Sequence, residues 1–302
     1  MMLPSEIIEK RILISVLNWG MGHVSRSIGL IHQLIQQGNL IHIACSENQQ
    51  KVFEEYFDTV SFIHHDDYPF EFGGKGSFGW DLTKRFIALQ KRLVQERNEV
   101  KELVQDYQID VVISDHRYGF QSDKVHSVFI THQFNLPVKW YQFSANSIHR
   151  KLMSKFDSIW VMDDSDSRLS GKLSISKNES KVSYIGPYSR FMLYEISKFK
   201  KSTSTVLIVS GPQIYAQQLV EEVLSSVKNE SLIVICEEGV LVPENCQKVI
   251  GSWRTQDQTI LSAQKIISRS GYSTIMDIDF LKCEAEFIPT PGQAEQIYLA
   301  NY

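Results

Sequence analysis

Hydrophobic positions along the chain follow two alternating patterns. Residues 11–17 form a short run that is apolar at nearly every position, the mark of a strand buried on both faces. After a loop, Val24, Ile28, Ile31, Leu34 and Ile35 recur at helical spacing, and Gly38 supplies a stop. Residues 40–45 read as the next buried strand. Strand, glycine loop, helix, strand is one βαβ unit and predicts a parallel sheet.

The alternation continues. Residues 60–64, 109–114, 127–131, 158–162 and 182–187 read as strands, the last closed by Gly186-Pro187. Residues 81–107 predict a long amphipathic helix with Phe86, Leu89, Leu93, Val100, Leu103 and Val104 on one stripe. Residues 73–79 form a glycine-rich loop expected to be mobile. Residues 191–204 are polar and lysine-rich and read as a hinge. Beyond them the pattern restarts, with strands expected over 205–210, 232–236, 248–250, 265–268 and 284–288 and helices over 213–228, 256–263 and 273–280. The expected fold class is α/β, with two Rossmann-like doubly wound domains in tandem: residues 1–190 and residues 205–302.

Composition narrows the class without changing it. The chain has 302 residues, 43% hydrophobic and 22% charged, with a net charge of −4. That excludes a disordered tail, a collagen-like chain and a supercharged nucleic-acid binder, so no nucleic-acid partner is expected. No apolar run approaches the roughly 18–20 residues of a membrane span. Residues 1–10 carry Glu6 and Glu9 and no apolar core of a signal peptide. Cys45, Cys236, Cys246 and Cys283 lack CxxC or zinc spacing and read as reduced thiols, which makes a cytoplasmic protein the expectation. Charge is uneven, −5 over residues 201–302 and +1 over residues 1–200. Lys139, Arg150, Lys151 and Lys155, with no acid among residues 139–155, read either as a solvated loop and helix or as a patch for an anionic acceptor or membrane surface.

Candidate chemistry gathers in the loops. Gly20 and Gly22 lie between a buried strand and a helix start, where backbone N–H groups approach a ligand closely. The third glycine of a dinucleotide fingerprint is replaced by Ser25, and no Lys-Ser/Thr of a phosphate loop follows. His23, at the first helical turn, is either a general base at the ligand edge of the sheet or a backbone cap. Asp115 and His132 each follow a buried strand of the same domain. They are candidates for the acceptor side, Asp115 as the partner of His23 or as base itself, with loop capping as the alternative. In the second domain Arg269-Ser270-Gly271 precedes a helix and offers an anion cradle for a diphosphate. Thr274 donates from the first turn, and Asp277 is the candidate for a ribose diol. Ser210-Gly211-Pro212-Gln213 and the segment holding Glu295 and Gln296 are further polar loops at that edge. His64-His65-Asp66-Asp67 has metal-binding residue types, but neighbouring side chains on an extended strand diverge, so a loop reading is preferred. The Asp-x-Asp triplets at Asp164 and Asp277 are too short to imply a metal site.

These segments carry a resemblance. Gly20-Met-Gly-His23, Ser210-Gly-Pro-Gln213, Arg269-Ser-Gly-Tyr-Ser-Thr-Ile-Met-Asp277 and Glu295-Gln296 resemble, in order, motifs of the GT-B-fold N-acetylglucosaminyltransferases that act on the lipid-linked peptidoglycan precursor. Asp277 stands where that family has Glu, and Glu295-Gln296 matches its Gln-Gln pair only at the second position. The resemblance implies metal-independent, inverting transfer of a sugar, N-acetylglucosamine, from a UDP-sugar substrate to a glycan or lipid-linked acceptor. It implies His23 as the catalytic base; Asp115 as a second catalytic residue and His132 on the acceptor side rest on their places after buried strands. It also implies Gly20, Gly22, Ser210, Gly211, Gln213, Arg269, Ser270, Gly271, Thr274, Asp277, Glu295 and Gln296 around the donor, with no cofactor and no metal. It further implies elements beyond Tyr302, so that the second domain is expected to be incomplete; peripheral contact with the inner membrane face is the expectation from the basic residues over 139–155. Gly20-Met-Gly-His-Val-Ser-Arg26 is also similar to the loop of nucleotide-sugar hydrolases of the same fold, in which the histidine activates water, and a non-catalytic nucleotide-binding protein is the third alternative.

Overall fold

A computed structural model describes residues 2–68, 86–137, 143–176, 180–226 and 232–302. The chain divides into two compact units after Tyr188. In the first, β1 (Arg11–Val16), β2 (Leu40–Cys45), β3 (Ser61–His64), β4 (Val111–Asp115), β5 (His126–Thr131), β6 (Ser158–Val161) and β7 (Val182–Tyr184) form one sheet. Its order is β3-β2-β1-β4-β5-β6-β7, and every pairing is parallel. Its helices are α1 (Gly22–Gln36), α2 (Glu47–Glu54), α3 (Phe86–Asp106) and α4 (Phe143–Met153). The second unit holds β8 (Thr205–Ile208), β9 (Leu232–Ile235), β10 (Gln247–Val249), β11 (Lys265–Ser268) and β12 (Glu284–Phe287), ordered β10-β9-β8-β11-β12 and again all parallel. Its helices are α5 (Gln213–Ser226), α6 (Trp253–Ser262), α7 (Tyr272–Leu281) and α8 (Ala294–Ala300).

Both sheets are buried through alternation along their strands. In the second unit Leu207 and Val234 pack with Leu219, Val220 and Val223 of α5. Their strand neighbours Val206 and Ile235 join Ile260, Leu261, Ile278 and Leu281 of α6 and α7 instead. The first unit has a comparable layer in which Leu13 and Val112 meet Val100 and Val104 of α3.

The periodicity reading places nearly every strand within a residue or two. It misses α2, whose eight residues are mostly polar and whose start is marked by Ser46 and Gln49, the Gln49 side chain accepting from the Ser46 N–H at 3.2 Å. It starts α6 too late, because the Ser252 hydroxyl caps the helix by accepting from Thr255 N–H at 3.2 Å. The expected hinge is corrected as well. Phe191, Tyr194, Ile196 and Phe199 pack into the core of the second unit, which explains why a lysine-rich segment is ordered as two short 3-10 turns. The glycine-rich loop over 73–79 lies outside the described residues, as does Lys139.

In each sheet the strand order reverses beside the first strand of its unit: between β1 and β4 in one, between β8 and β11 in the other. Loops leaving the carboxyl ends of strands diverge there and open a crevice where α/β proteins bind ligands.

Candidate functional site

The first crevice is built by register. Val16 at the end of β1 lies opposite Asp115 at the end of β4, and Asp115 lies opposite Ile130 of β5. Parallel pairing therefore brings the β1–α1 loop, Asp115-His116 and His132 to one edge. Gly20, at φ +87°, turns the chain into α1 with nothing near the position a side chain would take. One turn later His23 and Arg26, three residues apart, share a helix face.

Five side chains converge here. Asp115 is fully buried, and Arg26, 3% exposed, donates to it from Nε at 2.7 Å to Oδ2 and from Nη2 to Oδ1. Arg26 Nη1 lies 2.7 Å from His132 Nδ1. His23 Nδ1 lies 3.1 Å from Asp115 Oδ1 and 2.8 Å from Arg26 Nη2. The His116 ring meets His23 edge-on at 5.3 Å, and its Nε2 is 2.9 Å from Thr131 Oγ1. Behind it His149, on α4, bridges the Tyr118 hydroxyl at 2.7 Å and the Gln133 carbonyl at 2.7 Å. His23 is the exposed member of its pair, with 15% of its side chain open.

The electrostatics follow from burial and from the one guanidinium. Burial, and then the Arg26 charge, lower the His23 pKa below the ordinary imidazole value, so the ring is neutral at pH 7. Burial pushes the Asp115 carboxyl upward, but Arg26 and His23 more than reverse this and keep it ionised. His116 is held neutral by burial with Arg26 nearby, and His149 is lowered by burial to about 4. A neutral imidazole backed by a carboxylate is the chemical form of a general base.

The second crevice is assembled differently. Gly211, at φ +94°, turns β8 into α5, and the exposed Ser210-Gly211-Pro212-Gln213 loop faces residues 237–240. A cavity of ≈ 110 Å³ lies there, lined by Gly211, Gln213, Glu237 and Gly239 among others, and Gln213 Nε2 donates to the Gly239 carbonyl at 2.9 Å. Ser270, fully buried, donates to the Gln296 carbonyl at 2.7 Å, and Gln296 Oε1 accepts from Thr290 N–H at 2.9 Å. Through Gln296 of α8 these bonds tie together the loops after β11 and β12. Gly271 caps α7 without a side-chain acceptor, leaving first-turn N–H groups beside Thr274 for an anion. Glu295 stands in the first turn of α8.

Two expected donor residues have other work. The Asp277 carboxylate, 5% exposed, accepts from the Ser189 hydroxyl at 2.6 Å and pairs with Arg190. Arg190 also reaches Asp257 at 2.6 Å. Asp277 thus fastens the 189–194 turn to α7, because its place in the helix turns it inward. The Arg269 guanidinium, 4% exposed, donates to the carbonyls of Ile288, Pro289 and Tyr215 at 3.3, 3.1 and 2.9 Å, knitting three loops. Its hydrogen bonds go to backbone carbonyls, its Nε is buried without a partner, and Glu222 is the carboxylate that acts on its charge.

The weaker constellations disperse. His65 turns inward to Glu96 at 3.2 Å, and Asp67 accepts from Asn18 at 2.5 Å. His64 and Asp66 are exposed and 3.5 Å apart. Asp164 pairs with Arg168 at 2.8 Å. No helix among the described residues is long and apolar enough to cross a membrane. The residue that sequence reasoning passed over is Arg26. Its signals were its place one helical turn after His23, on the same helix face, and its closing position in the hydrolase-like loop.

No family model matches the chain, and no curated protein matches it in sequence. Solved structures do match its fold. A glycosyltransferase of kitacinnamycin superposes with a TM-score of 0.65 at 12% identity, over 97% of this chain and 84% of that one. The spinosyn rhamnosyltransferase SpnG, complexed with thymidine diphosphate, matches with 0.63 at 13% identity, over 96% and 83%. A UDP-GlcNAc 2-epimerase from Neisseria meningitidis bound to UDP-GlcNAc matches with 0.58 at 11% identity, over 96% and 90%. The chain therefore shares the fold of the GT-B glycosyltransferases, two Rossmann-like units in tandem.

Proposed function

We propose that this chain is a nucleotide-sugar glycosyltransferase, that its donor is a UDP-sugar, and that the sugar moved is N-acetylglucosamine. The observation that carries the reading is the His23–Asp115 pair at the switch point of the first sheet, partly open and held neutral and ionised respectively. The acceptor is a hydroxyl of a glycan or lipid-linked molecule. In the step proposed, the acceptor oxygen bonds to the anomeric carbon as the bond from that carbon to the diphosphate oxygen breaks. The acceptor proton passes to His23 Nε2, and the imidazolium so formed is stabilised by Asp115 through Nδ1–H. The step inverts the anomeric carbon and needs no metal. The nucleoside diphosphate leaves with the bonding pair. Its charge is met by N–H groups at the start of α7, by Ser270, Gly271 and Thr274, and by the positive charge of Arg269. Ser210, Gly211, Gln213, Glu295 and Gln296 are the further donor-binding candidates of the second unit and Gly20 and Gly22 those of the first, where His132, behind Arg26, is the candidate for the acceptor side. Arg150, Lys151 and Lys155, in and just after α4, support peripheral contact with an anionic membrane face.

The test is a thermal-shift screen of UDP, TDP, GDP and their sugars, followed by product analysis with UDP-N-acetylglucosamine and a panel of hydroxyl acceptors. Stabilisation by UDP ligands and a new glycoside support the proposal; indifference to every nucleotide overturns it. A second reading is favoured by the involvement of Arg26, which belongs to the hydrolase-like motif. If water is the nucleophile, free sugar and UDP form at the same rate with and without acceptor.

A further inference from the structure

One nitrogen in the first crevice has two partners that it cannot use together. His23 Nδ1 has a donor, Arg26 Nη2, at 2.8 Å and an acceptor, Asp115 Oδ1, at 3.1 Å. A guanidinium has only donors, so the Arg26 contact is a hydrogen bond only when Nδ1 carries no proton. The Asp115 contact is one only when Nδ1 does. The same guanidinium donates from Nη1 to His132 Nδ1 at 2.7 Å, while its Nε and Nη2 fork onto Asp115. All four bonds can be made at once by one guanidinium, and in that state both imidazoles hold their proton on Nε2.

We propose that Arg26 is a positioning residue that switches the proton of His23. With Arg26 on Nδ1, His23 presents an Nε2–H to an incoming ligand, suited to an oxygen lone pair. When Nδ1 passes to Asp115, Nε2 is left with the lone pair of a base. The change moves no net charge: the proton leaves Nε2 to water and another returns to Nδ1. The groups facing His23 that set the balance are Arg26 from α1, Asp115 and His116 from the end of β4 and the loop after it, and His132 after β5. Arg26 is fastened on three sides, so the resting form is the Arg26-bonded one. The catalytic half of the inference rests on the transferase reading; the proton positions do not.

The full chain with 15N-labelled histidine is therefore examined by long-range 1H–15N correlation at neutral pH. The expected spectrum has the proton on Nε2 in both His23 and His132. In Arg26→Gln, His23 moves its proton to Nδ1 against Asp115. A wild-type His23 protonated on Nδ1, or an unchanged tautomer in the variant, overturns the proposal. If Arg26→Gln does not fold, Arg26→Lys, which keeps a cation beside Asp115 but lacks the fork, takes its place with the same expectation. Where transfer or hydrolysis is measurable, loss of the Arg26 charge raises the acid limb of the kcat/KM profile. A merely structural role lowers activity at every pH and leaves that limb in place. Absence of any activity with the expected tautomers counts against the enzyme reading alone.

Discussion

The two sheets of this chain share one plan and treat the polar groups at their ligand edges in opposite ways. Each opens with a strand, a glycine held at positive φ (Gly20 in one, Gly211 in the other) and a helix at the switch point. In the first unit the edge is filled with ionisable side chains bonded to one another: His23, Asp115, Arg26 and His132, with His116 and His149 behind. All nine histidines of the chain belong to this unit and none to the second. In the second unit the carboxylates Asp257 and Asp277 are turned inward onto Arg190, and the edge carries hydroxyls, amides, a bare helix start and an arginine bonded only to carbonyls, beside Glu237 and Glu295. The difference teaches a division of labour. A coupled cluster of buried ionisable groups is suited to holding and moving a proton. An edge whose helix start and loops present N–H and hydroxyl donors is suited to holding an anion.

The largest expected effect tests the first edge. His23→Ala should lower turnover by about 100-fold or more, the usual contribution of a positioned general base, while UDP affinity measured by calorimetry stays near wild type. Turnover close to wild type removes His23 from the role and the contrast with it.

Next comes the second edge. Asp277→Asn leaves Arg190 short of one buried partner, and breaking such a pair costs about 3 kcal/mol. Denaturant unfolding should show that loss, with UDP affinity of the folded protein retained. A variant of unchanged stability that no longer binds UDP would return Asp277 to the ribose and blur the division.

Acid separates the units further. His149 has a folded pKa of about 4, below its unfolded value, so between about pH 6.5 and 4 the unfolded chain binds more protons. Stability is therefore full above that window and falls as pH drops through it, by about 3 kcal/mol for His149, with the lowered His23 and His116 adding in the same sense. Unfolding followed from pH 7 to 4 should show this loss, and His149→Gln should flatten it. Equal slopes for the two proteins would contradict the assignment.

The smallest effect probes what the edges share. Ala at Gly20 or Gly211 meets no neighbour within 4 Å, so only the positive φ opposes it, at about 1–2 kcal/mol each. Similar losses in two denaturation curves keep the parallel; a loss at one position alone breaks it.

Much of this was legible in the chain. Runs such as residues 11–17 and 40–45 are apolar at both strand faces, and a fully buried parallel strand leaves no other pattern, so the alternation and the two-unit plan follow from composition at each position. The places of Asp115 and His23 were legible too, because a polar residue closing a buried strand, or one in the first turn of the helix that follows such a strand, falls at the ligand edge. Helix α2 was not, since its start rests on a side-chain cap and its sequence is polar. Nor was the destination of the 191–204 segment, whose lysines advertise solvent while Phe191 and Tyr194 decide its packing.

What the sequence by itself determined is the order of elements, the parallel sheets and the loops that carry chemistry, since these depend on near-neighbour periodicity and turn residues. Only the tertiary structure decided which polar groups pair. Asp277 and Arg269 sit in a loop and helix that read as donor-binding, and partners 87 and 20 residues away in the chain take their hydrogen bonds. Arg26 reads as one more helix residue until the β1–β4 register brings Asp115, 89 residues on, against it. A buried charge must find its counter-ion or donors, and that partner is chosen by the three-dimensional neighbourhood, which no local pattern encodes.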